Sequence, residues 1–254
     1  NSINLLKSFM HEFIALIPSR LNSRRLPRKA LKIIDGLPMI IHTYKRSLLS
    51  KKIDFVAVCT DSPKIKNVIE KYGGKCFLTS KKHKNGTERI NQIARKINCK
   101  FVVDIQGDEP LIKPDDIDKV VNFHKKNQKF DIIVPYIKIY KETSKNVVKI
   151  ISENKGKVYF MSRYNIPLSF SCKTPYYKKH FSIISFKKKS LEKYCQLKSS
   201  FYEKIESIEL LRAIENNMKV GTFEIKSDSY SVDIKEDLLK ALIDMKNDRI
   251  RKLY

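Results

Sequence analysis

Residues 13–31 read FIALIPSRLNSRRLPRKAL. The five apolar residues from Phe13 to Ile17 predict a strand buried on both faces of a parallel sheet, because such a strand has no side turned to water. Pro18 has no backbone N–H to give to a central ladder, so the strand is expected to stop there. From Ser19 the chain becomes polar and carries Arg20, Arg24, Arg25, Arg28 and Lys29. Open α/β sheets bind ligands just beyond the carboxyl ends of their strands, so the loop reads either as a phosphate site or as a solvated basic face.

Working outward, strand and helix alternate. Leu31 to Ile34 and the turn Asp35-Gly36 lead to Pro38, a helix start, and Met39 to Leu49 has helical apolar spacing. Phe55 to Thr60 is a second buried strand, Asp61-Ser62 caps a helix that Gly73-Gly74 ends, and Cys76 to Thr79 is a third strand. Asn85-Gly86-Thr87-Glu88-Arg89 opens an apolar-periodic helix from Ile90 to Ile97, and the strand Phe101 to Ile105 runs into Gln106-Gly107-Asp108-Glu109-Pro110. This rhythm predicts right-handed crossovers in an α/β, doubly wound, mostly parallel sheet.

An acidic pair straight after a central strand stands over the same edge as the basic loop. Carboxylates are the oxygen ligands that Mg²⁺ takes when it also holds phosphates, although Gly107 and Pro110 equally suit a surface turn. Next come a helix from Pro114 to about Lys126 and a strand from Ile132 to Tyr136. The alternation then breaks into a β-hairpin, Val147 to Ile151 and Val158 to Met161 around Asn154-Lys155-Gly156. A helix from Ser200 to Asn216 carries Glu203, Glu206 and Glu209 along one side, a solvated stripe unless a site uses it. Val220 to Ile225 forms a strand. In the final helix Asp233 reads as an N-cap with Glu236 completing a capping box, or as a site residue.

Composition bounds the partners. The 254 residues, 42% hydrophobic and 31% charged, suit a globular chain of one large domain over 10–254, with residues 1–9 upstream of Met10 as an extension. The net charge of +25 raises nucleic acid as a partner, but lysine is spread from end to end and no RNA-binding aromatic signature or zinc spacing accompanies it. Nucleic acid is therefore not expected; an anionic nucleotide would use the same field. Five scattered cysteines without a Cys-x-x-Cys pair indicate neither a disulfide framework nor a zinc site, which predicts a reducing cytoplasm. Nor does any apolar run approach bilayer length.

Three stretches together resemble the CMP-Kdo synthetases (3-deoxy-manno-octulosonate cytidylyltransferases): Pro18-x-Arg20-x-x-Ser23-x-Arg25-Leu26-Pro27-x-Lys29, Gln106 to Pro110, and Val232-Asp233 with Glu236-Asp237-Leu238. The likeness runs from about residue 12 to residue 245 and implies a Rossmann-like nucleotidyltransferase fold. It further implies that Arg20, Ser23, Arg25 and Lys29 cradle the triphosphate of CTP with Gln106 beside the substrates, and that Asp108 and Asp233 hold Mg²⁺. Arg89, Arg163, His180 and Glu209 would meet the sugar acid, and an excursion at about 138–186 would carry a homodimer contact. Arg20, Lys29, Asp108 and Asp233 would then be the catalytic set that moves CMP from CTP to the anomeric hydroxyl of Kdo, for lipopolysaccharide-type glycan synthesis.

Departures from that pattern gather on the sugar side. Arg28 replaces a glycine and Asn85 a serine, Leu210 stands where the family has glutamine, and Ile234-Lys235 replaces Thr-Pro. His180 to Phe186 keeps the histidine but lacks two glycines and two tyrosines of the family string. A related cytidylyltransferase acting on another acid (an amino-substituted Kdo, a nonulosonate or a phosphonate) is the alternative. A basic nucleic-acid-binding protein fits the charge alone and leaves Gln106 to Pro110 unexplained.

Overall fold

The computed structural model describes residues 9–23, 25–141 and 145–254; Arg24 and nearly all of the expected 1–9 extension lie outside that range. The large sheet is built from β1 (His11–Ser19), β4 (Phe55–Thr60), β5 (Cys76–Leu78), β6 (Cys99–Ile105), β7 (Ile132–Ile133), β12 (Ile183–Lys187) and β13 (Val220–Gly221). Its seven strands have the order β13-β7-β12-β6-β1-β4-β5. All its pairings are parallel except those of β12, which runs against both β6 and β7. The mostly parallel doubly wound sheet is as expected.

The apolar run decides the layering. Alternate residues of β1 enter opposite cores: Ile14 and Leu16 pack with Ile90 and Ile93, while Phe13, Ala15 and Ile17 pack with Ile40, Ile65 and Val120. Helices α3 (Gly86–Ala94) and α5 (Lys188–Gln196) therefore cover one face, and α1 (Met39–Leu48), α2 (Pro63–Lys71) and α4 (Pro114–Lys126) the other. Pro18 does not end the strand, which continues to Ser19. The ladder with β6 stops at Leu16–Asp104, so past that point β1 pairs with β4 alone and the missing N–H costs no bond on the other side.

A second, antiparallel sheet comprises β8 (Tyr136–Ile139), β9 (Lys149–Ser152), β10 (Val158–Ser162) and β11 (Tyr177–His180), in the order β10-β9-β11-β8. It contains the expected hairpin. The single strand expected over Ile132 to Tyr136 is divided, its start in the large sheet and its end in the small one. The strand expected over Val220 to Ile225 shortens to β13 plus one isolated bridge at Glu224.

The helix expected from Ser200 to Asn216 is two helices, α6 (Phe201–Glu206) and α7 (Leu210–Glu215), separated by Ser207 at φ 54°. The break abolishes the acidic stripe. Glu203 pairs with buried Arg212, Glu206 accepts from Ser162 and the Arg163 backbone, and Glu209 accepts from Thr87. Helix α8 (Lys235–Lys246) and the segment before it close the edge through Ala241 and Met245 of the helix and Val232 ahead of it, packed on Leu26, Ile34 and Met39.

Between β1 and α1 a 3-10 turn (Lys29–Leu31) precedes the two-residue strands β2 (Ile33–Ile34) and β3 (Leu37–Pro38), joined through Asp35 at φ 43° and Gly36 at φ 78°. Arg28 stands just ahead of that turn at φ 55°, ψ 31°, the left-handed conformation that a side chain resists by about 1–2 kcal/mol. The residue that replaces the family glycine has thus kept a glycine's backbone geometry. Arg28→Gly is expected to hold or raise the melting temperature, by up to about 1 kcal/mol in stability, whereas Arg28→Val lowers it; thermal denaturation of the pair measures the strain.

Candidate active site

Three loops meet over the carboxyl edge of the sheet because two glycines let them. A Cβ on Gly107 would lie 2.8 Å from the Pro18 carbonyl oxygen, and one on Gly86 3.0 Å from Pro18 Cγ. The loop after β1, the start of α3 and the loop after β6 can close on one another only without those side chains. Between them lies a cleft of about 770 Å³, lined by Arg20, Ser23, Arg25 and Lys29 on the basic side and by Gln106, Asp108 and Asp233 on the other. A smaller chamber of about 340 Å³ is lined by Asp104, His180, Ser182 and Leu210. Gly86, Gln106, Arg163 and Glu209 border both.

At the centre, the Lys29 ammonium donates to Asp108 Oδ2 and, at 2.9 Å, to Asp233 Oδ1. Arg25 adds a contact to the same Asp233 oxygen at 3.0 Å. Burial works against the Lys29 charge, but attraction and hydrogen bonds from the two aspartates prevail and raise its pKa. Asp233 does not cap its own helix. Asp237 Oδ2 takes the backbone N–H groups of Asp233 and Ile234, so the expected cap partner Glu236 is displaced by one residue and the Asp233 carboxylate is left for the cleft.

Two carboxylates converging on one positive centre, with the Val232 carbonyl 3.4 Å from the same nitrogen, form an oxygen donor set suited to Mg²⁺. Among the described residues no group of three or more His, Cys, Asp or Glu could hold a metal. A two-carboxylate set is nonetheless what Mg²⁺ uses when waters and substrate phosphates complete its shell.

Of the expected sugar-side residues, Arg163, His180 and Glu209 border the smaller chamber and Arg89 does not. Arg89 is buried in the larger cleft's wall, donating to Thr79 Oγ1 at 2.6 Å and Asp61 Oδ2 at 2.8 Å, and does not line the smaller chamber. Arg163 donates Nε to the Glu206 carbonyl, Nη2 to that of Ser207 and Nη1 to that of Lys145, closing the carboxyl end of α6. His180 is the last residue of β11; burial, with Lys179 nearby, lowers its pKa to about 4, so it is a neutral imidazole at neutral pH. Glu209 accepts from Thr87 Oγ1 at 3.1 Å, and burial raises its pKa.

A family model described as cytidylyltransferase matches residues 14–220. The chain is 37% identical over 240 residues to the 3-deoxy-manno-octulosonate cytidylyltransferase of Rickettsia bellii (strain OSU 85-389), across 91% of this chain and 96% of that one. It is 36% identical over 234 residues to the like-named protein of a Nitratiruptor species, across 89% and 96%. The chain belongs to the 3-deoxy-manno-octulosonate cytidylyltransferase family. The solved structure of a CMP:2-keto-3-deoxy-manno-octonic acid synthetase complexed with CTP superposes with a TM-score of 0.88 at 29% identity, covering 92% of this chain and 98% of that one.

Two further acids shape the site: Glu109, read from the sequence only as half of an acidic pair, and Asp104, which that reading passed over. Glu109 is buried and accepts from Ser229 Oγ at 3.0 Å and Ser231 Oγ at 2.5 Å, while the Asp108 carbonyl takes the Val232 N–H at 2.9 Å. These bonds join the two aspartate-bearing loops. Asp104 ends the β6 ladder with β1, 1% exposed, with Gln106 Nε2 donating to its Oδ1 at 2.9 Å. For Asp104, a charged residue inside the apolar run Phe101 to Ile105 was the available signal; for Glu109 the acidic pair was visible but its loop-joining role was not, since its serine partners are 120 and 122 residues away.

Burial first, then Glu209 and Asp108, push the Asp104 carboxyl well above its ordinary value of 3.8. A carboxyl whose folded pKa is raised favours the fold fully at pH below the unfolded value, and that advantage is lost as pH climbs toward the folded one. Asp104→Asn cannot ionise in either state. Its melting temperature is expected to match the wild type near pH 4 and to exceed it increasingly toward neutral pH, as paired thermal melts across that range would read.

Proposed function

We propose that the protein transfers CMP from CTP to the anomeric hydroxyl of 3-deoxy-manno-octulosonate, releasing pyrophosphate. The observation that carries this reading is the convergence of Lys29, Asp108 and Asp233 in a basic cleft that shares a border with a second, smaller chamber. A triphosphate needs cations along its length, and Arg20, Arg25 and Lys29 supply three beside Ser23. The acceptor is assigned to the smaller chamber, where neutral His180, Ser182 and Glu209 offer hydrogen bonds to hydroxyls and Arg163 adds positive charge at the border for the acid group.

In-line transfer needs positioning and charge neutralisation more than covalent chemistry from the protein. Mg²⁺ held by Asp108 and Asp233 would neutralise phosphate oxygens and lower the pKa of the attacking hydroxyl. The protein's part is to hold two like charges side by side. Lys29 and Arg25 lie against Asp233, Lys29 also against Asp108, and the Glu109 bonds fix the spacing of the loops.

Asp108→Asn and Asp233→Asn keep shape and remove charge. Each is expected to stay folded and lose more than about a hundredfold in rate, and the double variant to be little worse than the poorer single, because both serve one site. Pyrophosphate release with CTP, Kdo and Mg²⁺ measures this. Retained activity per folded molecule in Asp233→Asn would end the two-aspartate reading.

The same reading includes a homodimer. Tyr159, Tyr164, Leu168, Phe170, Phe201 and Ile205, on β10, the segment after it and α6, expose large apolar surfaces, from 51% at Tyr159 to 93% at Phe170. Light scattering is expected to give twice the chain mass of 29.7 kDa, and Phe170→Glu with Leu168→Glu to shift it toward one. A cytoplasmic location is supported by five free cysteines, and among the described residues no helix is long and apolar enough to cross a membrane.

A further inference from the structure

Gln106 borders both chambers, at the place where a nucleotide in the larger cleft and an acceptor in the smaller one would meet. Its amide has two chemically opposite ends, and what holds it decides which end the substrates see. Asp104 holds it: Gln106 Nε2 donates to Asp104 Oδ1 at 2.9 Å, and Asp104 is 1% exposed. Oδ2 of the same carboxyl is buried with no hydrogen-bond partner among the described residues. Oδ1 has no hydrogen to give while the carboxyl is ionised; once it is neutral, Oδ1 is the carbonyl end and the proton sits on Oδ2.

We propose that Asp104 is a positioning residue that fixes the polarity of the Gln106 amide, turning its carbonyl oxygen toward the acceptor's attacking hydroxyl. The inference rests on the transfer reaction proposed above. A hydroxyl that gives its hydrogen to Gln106 Oε1 keeps an oxygen lone pair for the α-phosphate. With the amide reversed, the N–H would occupy a lone pair of the nucleophile itself. The effect therefore falls on turnover and leaves substrate affinity nearly unchanged.

Asparagine at position 104 is expected to reverse the amide. In the wild-type arrangement it would leave two N–H groups at the partnerless Oδ2 position, whereas turning its amide to Gln106 leaves a bare oxygen there, which costs less. Combining Asp104→Asn with Gln106→Glu then restores an acceptor, because the introduced amide donates to one oxygen of the introduced carboxylate and the other oxygen faces the hydroxyl.

The test is steady-state pyrophosphate release by the full chain with CTP, Kdo and Mg²⁺, alongside a melting curve for each variant. We expect Asp104→Asn to stay folded and to lose about tenfold in kcat, the value of one hydrogen bond to the reacting group, with both KM values within about twofold. The double variant is expected to recover most of that loss. An unchanged kcat in a folded Asp104→Asn, or a double variant no better than the single, overturns the proposal while leaving the transfer reaction intact. Absence of pyrophosphate release by the wild type with Kdo instead overturns the reaction on which it rests.

Discussion

The Lys29 ammonium, donating to Asp108 and Asp233 at once, is the contact on which the cleft depends. It reaches 79 residues along the chain to Asp108 and 204 to Asp233, joining the loop after the first strand, the loop after β6 and the approach to the last helix. Two carboxylates side by side repel each other, and the ammonium between them offsets that repulsion. Arg25 adds to the same balance, and the Glu109 bonds hold the acidic loops at a separation that one cation can bridge. The charges that assemble the cleft are also those suited to a triphosphate and its metal.

Support for this contact comes from below and from the side. The sheet is held by β1, whose alternate residues enter two cores, so its carboxyl end cannot shift without disturbing both. Glycines at 86 and 107 let the neighbouring loops reach Pro18, and Arg28 takes a left-handed backbone so that Lys29 can turn inward. Each is a local cost accepted where the site needs geometry, as strained residues at functional sites commonly are. Buried Asp104 and half-buried Glu209 belong with them, two carboxyls whose desolvation works against ionisation beside the chamber assigned to the acceptor.

The sugar side is where chain direction and packing most changed the reading. Three glutamates at three-residue spacing look like one face of a helix, yet Ser207 turns the backbone and sends Glu203, Glu206 and Glu209 to three different partners. Arg163 and Arg89, each placed beside the sugar acid by the family resemblance, give hydrogen bonds to carbonyls, a threonine and an aspartate of the scaffold. Replacing either removes a structural tie as well as a charge, so a loss of activity in such a variant requires a folding measurement beside it.

Sequence alone determined the α/β class, the central strand Phe13 to Ile17 and the grouping of the basic loop with Gln106 to Asp108 at one edge. Those readings rest on local physics: an apolar run without a polar face, glycine and proline as punctuation, and the rule that ligands bind at the carboxyl ends of parallel strands. Tertiary structure decided what depends on contacts across the chain. Asp233 reads from its neighbours as a helix cap, and it becomes a cleft residue because Asp237 takes the backbone N–H groups while Lys29 and Arg25 approach from far away in the sequence. The orientation of the Gln106 amide likewise follows from the buried carboxyl of Asp104, and nothing in the residue order shows which of its oxygens lacks a partner. Spacing along a chain fixes which side chains share a face of one element; which charges meet between elements is set by the packing that brings them together.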